Sequence, residues 1–261
     1  MKAVILCGGQ GTRLREETEF KPKSMVEIGP MPVLMHIMRG YAHYGYTEFV
    51  LCLGYKGQRI KDYFYRYEIL TNDFTIDLQN KSITFHPRNA RQYEGWKITL
   101  ADTGLNAMTG ARLKRVEKYV DGDIFMLTYG DGVTDLNIEE LLRFHKGHGK
   151  IGTVTGVVPP SRYGELLIEH DRVVSFMEKP DSGGSAISGG YFVFNREFFK
   201  YLDEEDGCVL EKQPLENLAK EGQLKVFQHK GFWQCMDTFR DYNYLKDLWE
   251  KGNPPWKLWQ D

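Results

Sequence analysis

Leu6, Cys7, Gly8, Gly9, Gln10, Gly11, Thr12 and Arg13 form a run in which glycines follow an apolar stretch and a fixed positive charge follows the glycines. Glycine lets a backbone approach a ligand closely, and neighbouring amides can surround an anion, so the run suits a triphosphate. Spacing excludes two other phosphate loops. The run is not GxGxxG, because Leu14 occupies the last place, nor a Walker loop, because no Lys-Ser or Lys-Thr pair follows at the required distance. A tight strand-to-helix turn with a solvated Arg13 is the plainer explanation. Lys23 follows closely, within Lys21-Pro22-Lys23-Ser24-Met25. Phosphoryl-type transfer develops charge on nonbridging oxygens, so preplaced cations such as Arg13 and Lys23 lower its barrier. Far along the chain, Gly130 and Asp131 follow an apolar run inside Tyr129-Gly130-Asp131-Gly132, where open α/β sheets place ligand residues. A hard divalent cation such as Mg2+ takes a few carboxylates plus phosphate oxygens and water, so Asp131 needs a second acid. Asp237 is the candidate; capping the last helix is the alternative explanation for it.

These residues need elements to hold them. Residues 3–7 (AVILC) read as a strand buried on both faces that breaks at Gly8. Apolar residues at helical spacing over 33–44 predict a helix, and 48–53 (EFVLCL) a second buried strand. A helix over 56–65 and an apolar strand over 123–129 extend the alternation, which implies a parallel sheet. Residues 74–85, around Gln79, Asn80 and Lys81, read as a surface hairpin. The second half changes character: short strands over 152–158, 165–169, 173–178 and 191–194, with a polar turn at His170, Asp171 and Arg172, predict antiparallel pairing. Gly- and Ser-rich 181–185 reads as a mobile loop, and 239–251 as the final helix. The fold class expected is α/β: a mostly parallel, Rossmann-like mixed sheet flanked by helices, with small antiparallel additions in the second half. One domain over 1–261 is expected, with nucleotide bound over about residues 1–150 and sugar over 151–261.

GGxGTRL followed by KPKxMVEIG and PxL resembles the signature of the sugar nucleotidyltransferase family, and the resemblance spans nearly the whole chain. Cys7 stands where the family usually has Ala, and Ser24 where it has Pro, which puts the rigidity of the Lys23 segment in question. The resemblance implies that Arg13 steadies the leaving pyrophosphate and Lys23 contacts the phosphate under attack. Residues 231–241 (GFWQCMDTFRD) are similar to the cytidylyltransferase branch, which implies CTP, glucose 1-phosphate and Mg2+ held by Asp131 and Asp237. Tyr163 and Gly164, in RYG, and Glu178 and Lys179, in EKP, resemble the family's sugar-phosphate elements. Glu178 would then accept hydrogen bonds from sugar hydroxyls and Lys179 would neutralise the 1-phosphate, unless the pair simply ends an exposed strand. Gly189 and Gly190 offer a small-residue floor for a hexose. Met108 to Arg112 resembles the family's MTGxR segment, implying that Arg112 and the backbone at Ala107 face the pyrimidine; Arg112 could instead only balance charge on a basic helix beside Lys114 and Arg115. The branch also implies a role in cell-surface sugar synthesis. A UTP- or dTTP-dependent relative and a non-catalytic nucleotide-binding subunit are the rivals, the second opposed by the presence of Arg13, Lys23, Asp131 and Asp237.

With 34 Lys and Arg against 36 Asp and Glu, the net charge of -2 gives no general attraction to a phosphate backbone, so nucleic acid is excluded as an expected partner. Four scattered cysteines form no CxxC pair, which argues against zinc and fits a reduced cytoplasm. No apolar run approaches membrane-spanning length. The tail carries Pro254, Pro255, Trp256 and Trp259. Exposed indoles are costly, so a homo-oligomer is expected, a hexamer by analogy, with the tail docked on a neighbour or folded back on its own subunit.

Overall fold

The computed structural model of the chain describes residues 1–86, 95–159, 165–177 and 186–260. Its central sheet contains β1 (Lys2–Leu6), β2 (Glu48–Leu53), β3 (Lys97–Asp102), β4 (Ile124–Tyr129), β5 (Gly152–Val157), β6 (Ile187–Asn195) and β7 (Leu224–His229), in the order β7-β5-β6-β4-β1-β2-β3. β1 runs parallel to β2 and β4, β2 to β3, and β5 to β7, while β6 runs against both β4 and β5. The mostly parallel mixed sheet expected from the alternation is present.

The central strands read as unbroken apolar runs because both their faces are covered. Successive side chains of a strand point to opposite faces. Ala3, Ile5, Phe49, Leu51 and Met126 accordingly enter one core, whereas Val4, Leu6, Val50, Cys52, Phe125 and Leu127 enter the other. The first core is closed by α1 (Val33–His43); α2 (Gly57–Tyr65) adds Ile60 to it, and α3 (Thr109–Arg115) closes the second. α4 (Ile138–His148) and α6 (Phe239–Glu250) complete the first face, and α5 (Gln213–Lys220) the second. α4 is capped by Asn137, whose side chain accepts from the amides of Glu139 and Glu140. β3, β7, α4 and α5 are absent from the sequence expectation. The two strands are sheet edges with mostly half-exposed residues, so neither carries a long apolar run.

The hairpin expected over 74–85 forms from Asp73–Asp77 and Ser82–His86 and stays outside the central sheet. Residues 165–169 and 172–177 pair antiparallel about His170, which takes a positive φ of 59°. The predicted loop over 181–185 lies outside the described residues.

The tail corrects one expectation. Trp256 is only 1% exposed and Trp259 is buried, both within their own chain. Trp256 stacks on Phe232 and donates its indole N–H to Nδ1 of His36 at 3.2 Å, while the Arg39 guanidinium lies over Trp259. A groove beside α1 takes up the indoles, so they provide no argument for a partner. Among the described residues, no helix is long and apolar enough to cross a membrane.

Candidate active site

β1 and β4 are neighbours whose C-terminal residues Leu6 and Tyr129 are in register, and the amide of Gly130 donates to the Leu6 carbonyl at 3.0 Å. The glycine loop and the Asp131 loop therefore leave the sheet side by side, at the carboxyl edge where parallel sheets bind ligands. Between them opens a cleft of about 490 Å³. It is lined by residues 6–13, Lys23, Ser24, residues 105–109, Arg112, residues 129–131 and Asp237. Every expected nucleotide and metal residue thus borders one space.

Its charged centre is compact. The Lys23 ammonium lies 2.6 Å from Asp131 Oδ2 and 2.5 Å from Asp237 Oδ1, and Arg13 donates to the same Asp237 oxygen at 3.0 Å. Local structure fixes each member. The Lys23 segment is a tight turn, with the Met25 amide donating to Pro22 O and the Val26 amide to Lys23 O. Asp237 follows a short strand, Trp233–Cys235, that pairs antiparallel with Gly132–Thr134, and the Met236 amide donates to Asp131 O at 2.9 Å. Met236 is fully buried in the core, so in extended backbone its neighbours Cys235 and Asp237 turn the other way. Capping does not account for Asp237. The α6 cap is Thr238, joined in a capping box by Asp241, which leaves Asp237 to Lys23 and Arg13.

Burial opposes the charge on Lys23, but the adjacent Asp131 carboxylate, together with Asp237, holds its pKa above the ordinary value. Burial likewise opposes ionisation of Asp237, yet the hydrogen bond and charge of Lys23 hold its carboxyl below the usual range, helped by Cys235 and Arg13. Two carboxylate oxygens from distant parts of the chain already converge on one cationic atom, so the donor set fits a hard divalent ion. Cys235 was not anticipated. Its sulfur and one oxygen from each aspartate lie within 4.8 Å of one another. The available signal was its two-residue spacing from Asp237 in a short extended segment.

Arg112 is nearly buried and serves as a brace. Its terminal nitrogens donate to the carbonyls of Leu53, Gly104, Gly8 and Leu105 and to the Thr103 hydroxyl. Those bonds hold the loop at 104–105 and the glycine loop in shape beside the cleft that Arg112 also lines. Gly8 is required here because a Cβ at that position would collide with the guanidinium. The two departures from the family pattern lie close together in space. Cys7 and Ser24 are both buried, and a Cβ at Gly130 would meet Leu6 O, Cys7 Sγ and Ser24 Cβ at 3.0, 3.1 and 3.2 Å. Ser24 is thus packed beside Cys7, next to the Lys23 turn. Burial pushes the Cys7 thiol up to about 12, so it is a packing group and no nucleophile.

On the sugar side, Tyr163, Gly164, Glu178 and Lys179 lie outside the described residues. Gly189 and Gly190 are buried, and their missing side chains leave room for Val157 and for the Tyr129 ring. Gly190 thereby seats the Tyr129 ring, which lines the cleft. Glu211, also unanticipated, accepts from the Tyr129 hydroxyl and, at 2.6 Å, from the Thr109 hydroxyl, tying two lining residues together.

A family model described as "Nucleotidyl transferase" matches residues 2–251. The chain belongs to that family. It is an enzyme, a nucleotidyltransferase by the company it keeps in sequence. It is 50% identical over 261 residues to the glucose-1-phosphate cytidylyltransferase of Salmonella typhi, covering all of both chains. Over 259 residues it is 42% identical to the probable glucose-1-phosphate cytidylyltransferase of Bacillus subtilis, covering 99% of this chain and all of that one. Among solved structures, HddC from Yersinia pseudotuberculosis shares the fold with a TM-score of 0.65 at 23% identity, covering 95% of this chain and 99% of the other. A putative glucose-1-phosphate thymidylyltransferase from Bacillus anthracis does so with a TM-score of 0.67 at 19% identity, covering 95% and 94%.

Proposed function

We propose that the chain transfers a cytidylyl group from CTP to glucose 1-phosphate, giving CDP-glucose and pyrophosphate, with Mg2+ as cofactor. The observation that carries this reading is the Lys23 ammonium held between Asp131 and Asp237 at the mouth of the glycine loop. Full-length similarity to two relatives bearing the cytidylyltransferase name supports the choice of nucleotide and sugar.

In the reaction, a phosphate oxygen of glucose 1-phosphate forms a bond to the α-phosphorus of CTP as the bond to the β-phosphate oxygen breaks in line, so no covalent protein intermediate is needed. The loop amides of residues 8–11 cradle the triphosphate, and Arg13, largely exposed at the cleft edge, meets the charge that accumulates on pyrophosphate. Lys23 offsets charge on the phosphorus under attack. Asp131 and Asp237 would hold Mg2+, which when bound supplies charge neutralisation and polarises the phosphoryl oxygens. Arg112 keeps the base-side loop at 104–105 in place, and the backbone beside Ala107 faces the pyrimidine. For the sugar, Tyr163, Gly164, Glu178 and Lys179 remain the proposed contacts. A cytoplasmic homo-oligomer acting in cell-surface sugar synthesis belongs to the same proposal.

Pyrophosphate release measured with each nucleoside triphosphate tests the reading. Cytosine presents an amino donor where uracil presents a carbonyl, and a buried polar group left unpaired costs about 1 to 3 kcal/mol, so CTP should exceed UTP by roughly tenfold to a hundredfold. Equal yields from equal CTP and UTP would reject the nucleotide assignment, and no release with any triphosphate would favour a non-catalytic subunit.

A further inference from the structure

Cys235 stands in the active-site cluster but has no part in the reaction described above. It is half-buried at the end of the short strand Trp233–Cys235, and its side chain hydrogen-bonds that of Asp237. Pairing with Gly132 sets it beside Asp131. Its sulfur and a carboxylate oxygen of each aspartate all lie within 4.8 Å of one another. Donors sharing one tetrahedral ion with bonds of about 2.0 to 2.3 Å stand roughly 3.5 Å apart, so side-chain rotation of about 1 Å would close the set. The cluster also has a cation in it already, since the Lys23 ammonium touches both carboxylates.

We propose that Cys235 is a third protein ligand of the cation site formed by Asp131 and Asp237, so that the site takes a thiophilic divalent ion such as cobalt, zinc or cadmium more tightly than magnesium. This rests on the assignment of the two aspartates as metal ligands. Carboxylates and water suit magnesium, whereas a thiolate adds selectivity for softer ions and nothing for magnesium. Burial and the Asp131 carboxylate raise the pKa of the Cys235 thiol in the metal-free chain, so the incoming ion itself must displace the proton: binding breaks the S–H bond, forms a sulfur–metal bond and releases the proton to solvent, with no change of oxidation state. The Lys23 ammonium gives up its place between the acids, and the incoming ion supplies the charge it removes. The functional consequence is that thiophilic ions compete with magnesium at the catalytic centre of this chain, through a residue outside the reaction itself.

The test is optical and does not use turnover. The full chain is titrated with cobalt(II) in the presence of CTP and without sugar phosphate, and the near-ultraviolet charge-transfer absorption of a cobalt–thiolate bond is recorded against a blank of cobalt and CTP. The wild-type protein should develop the band, and Cys235→Ser should lack it. Cadmium affinity by calorimetry should fall about tenfold or more in the serine variant, as expected for loss of a metal-site partner, while magnesium affinity holds. Cys235→Ala provides a second variant should serine disturb folding, which circular dichroism checks. A band that survives in both variants assigns the thiolate to another cysteine and overturns the proposal. Cobalt binding of equal strength in wild type and Cys235→Ser, with no band in either, also overturns it but leaves the aspartate site standing. If Asp131→Asn and Asp237→Asn bind cobalt as the wild type does, the aspartate assignment itself falls.

Discussion

His36→Gln should abolish a defined part of the acid sensitivity of this fold. His36 is 1% exposed on α1, where it donates from Nε2 to the Ile28 carbonyl at 2.8 Å and accepts at Nδ1 from Trp256. Both ring nitrogens are thus satisfied by a neutral imidazole with its proton on Nε2. Burial, and more weakly the charge of Arg39, lower its pKa from 6.5 to about 4, against the opposing pull of the Ile28 carbonyl. An unfolded chain binds this proton below about pH 6.5, whereas the folded chain binds it only near pH 4. The contribution is therefore complete above pH 6.5 and is lost as the pH falls toward 4. At about 1.4 kcal/mol per pH unit, the loss between about pH 7.5 and about pH 4.5 amounts to roughly 2.5 to 3 kcal/mol. Glutamine keeps a donor for Ile28 but does not titrate. Urea unfolding of both proteins at the two pH values isolates the contribution, because His145, His148 and the carboxylates are common to both and cancel. An identical loss of stability on acidification in wild type and His36→Gln would refute the reasoning. The bond to Ile28 ties α1 to the segment that follows the Lys23 turn, and Trp256 of the tail holds the other ring nitrogen of His36.

Asp131→Asn and Asp237→Asn should each slow pyrophosphate release by roughly a hundredfold to a thousandfold, about 2.7 to 4 kcal/mol in the barrier. The double variant should be little slower than either single one, because residues serving one ion act as a unit. Near-normal turnover with lowered melting temperatures would instead make both acids structural. Arg112→Lys loses the fork whose two terminal nitrogens span Gly104 O and Leu105 O, while Leu53 O and Gly8 O keep the amides of Thr103 and Tyr55; with about 1 to 3 kcal/mol for one carbonyl left unpaired, at least about 1 kcal/mol of stability should be lost. Urea midpoints decide this, and an unchanged midpoint would mean that water replaces the guanidinium.

Residue types and local order were enough to establish the α/β alternation, the glycine loop, and the roles open to Lys23, Asp131 and Asp237. A strand buried on both faces needs a continuous apolar run, and a phosphate site needs glycines and cations, so both leave local marks. Edge strands β3 and β7 leave none, because half their side chains face water. The tertiary structure alone decided that Thr238 caps α6, freeing Asp237 for Lys23, and that Cys7 and Ser24 fit as a pair. It made Arg112 a brace of the cleft loops, through a carbonyl 104 residues away in sequence. It also buried a tail that composition leaves exposed, by a hydrogen bond spanning 220 residues. Local sequence specifies periodicity and backbone freedom, but a long side chain takes its role from the acceptors and grooves that distant segments bring to it, and those exist only once the chain has folded.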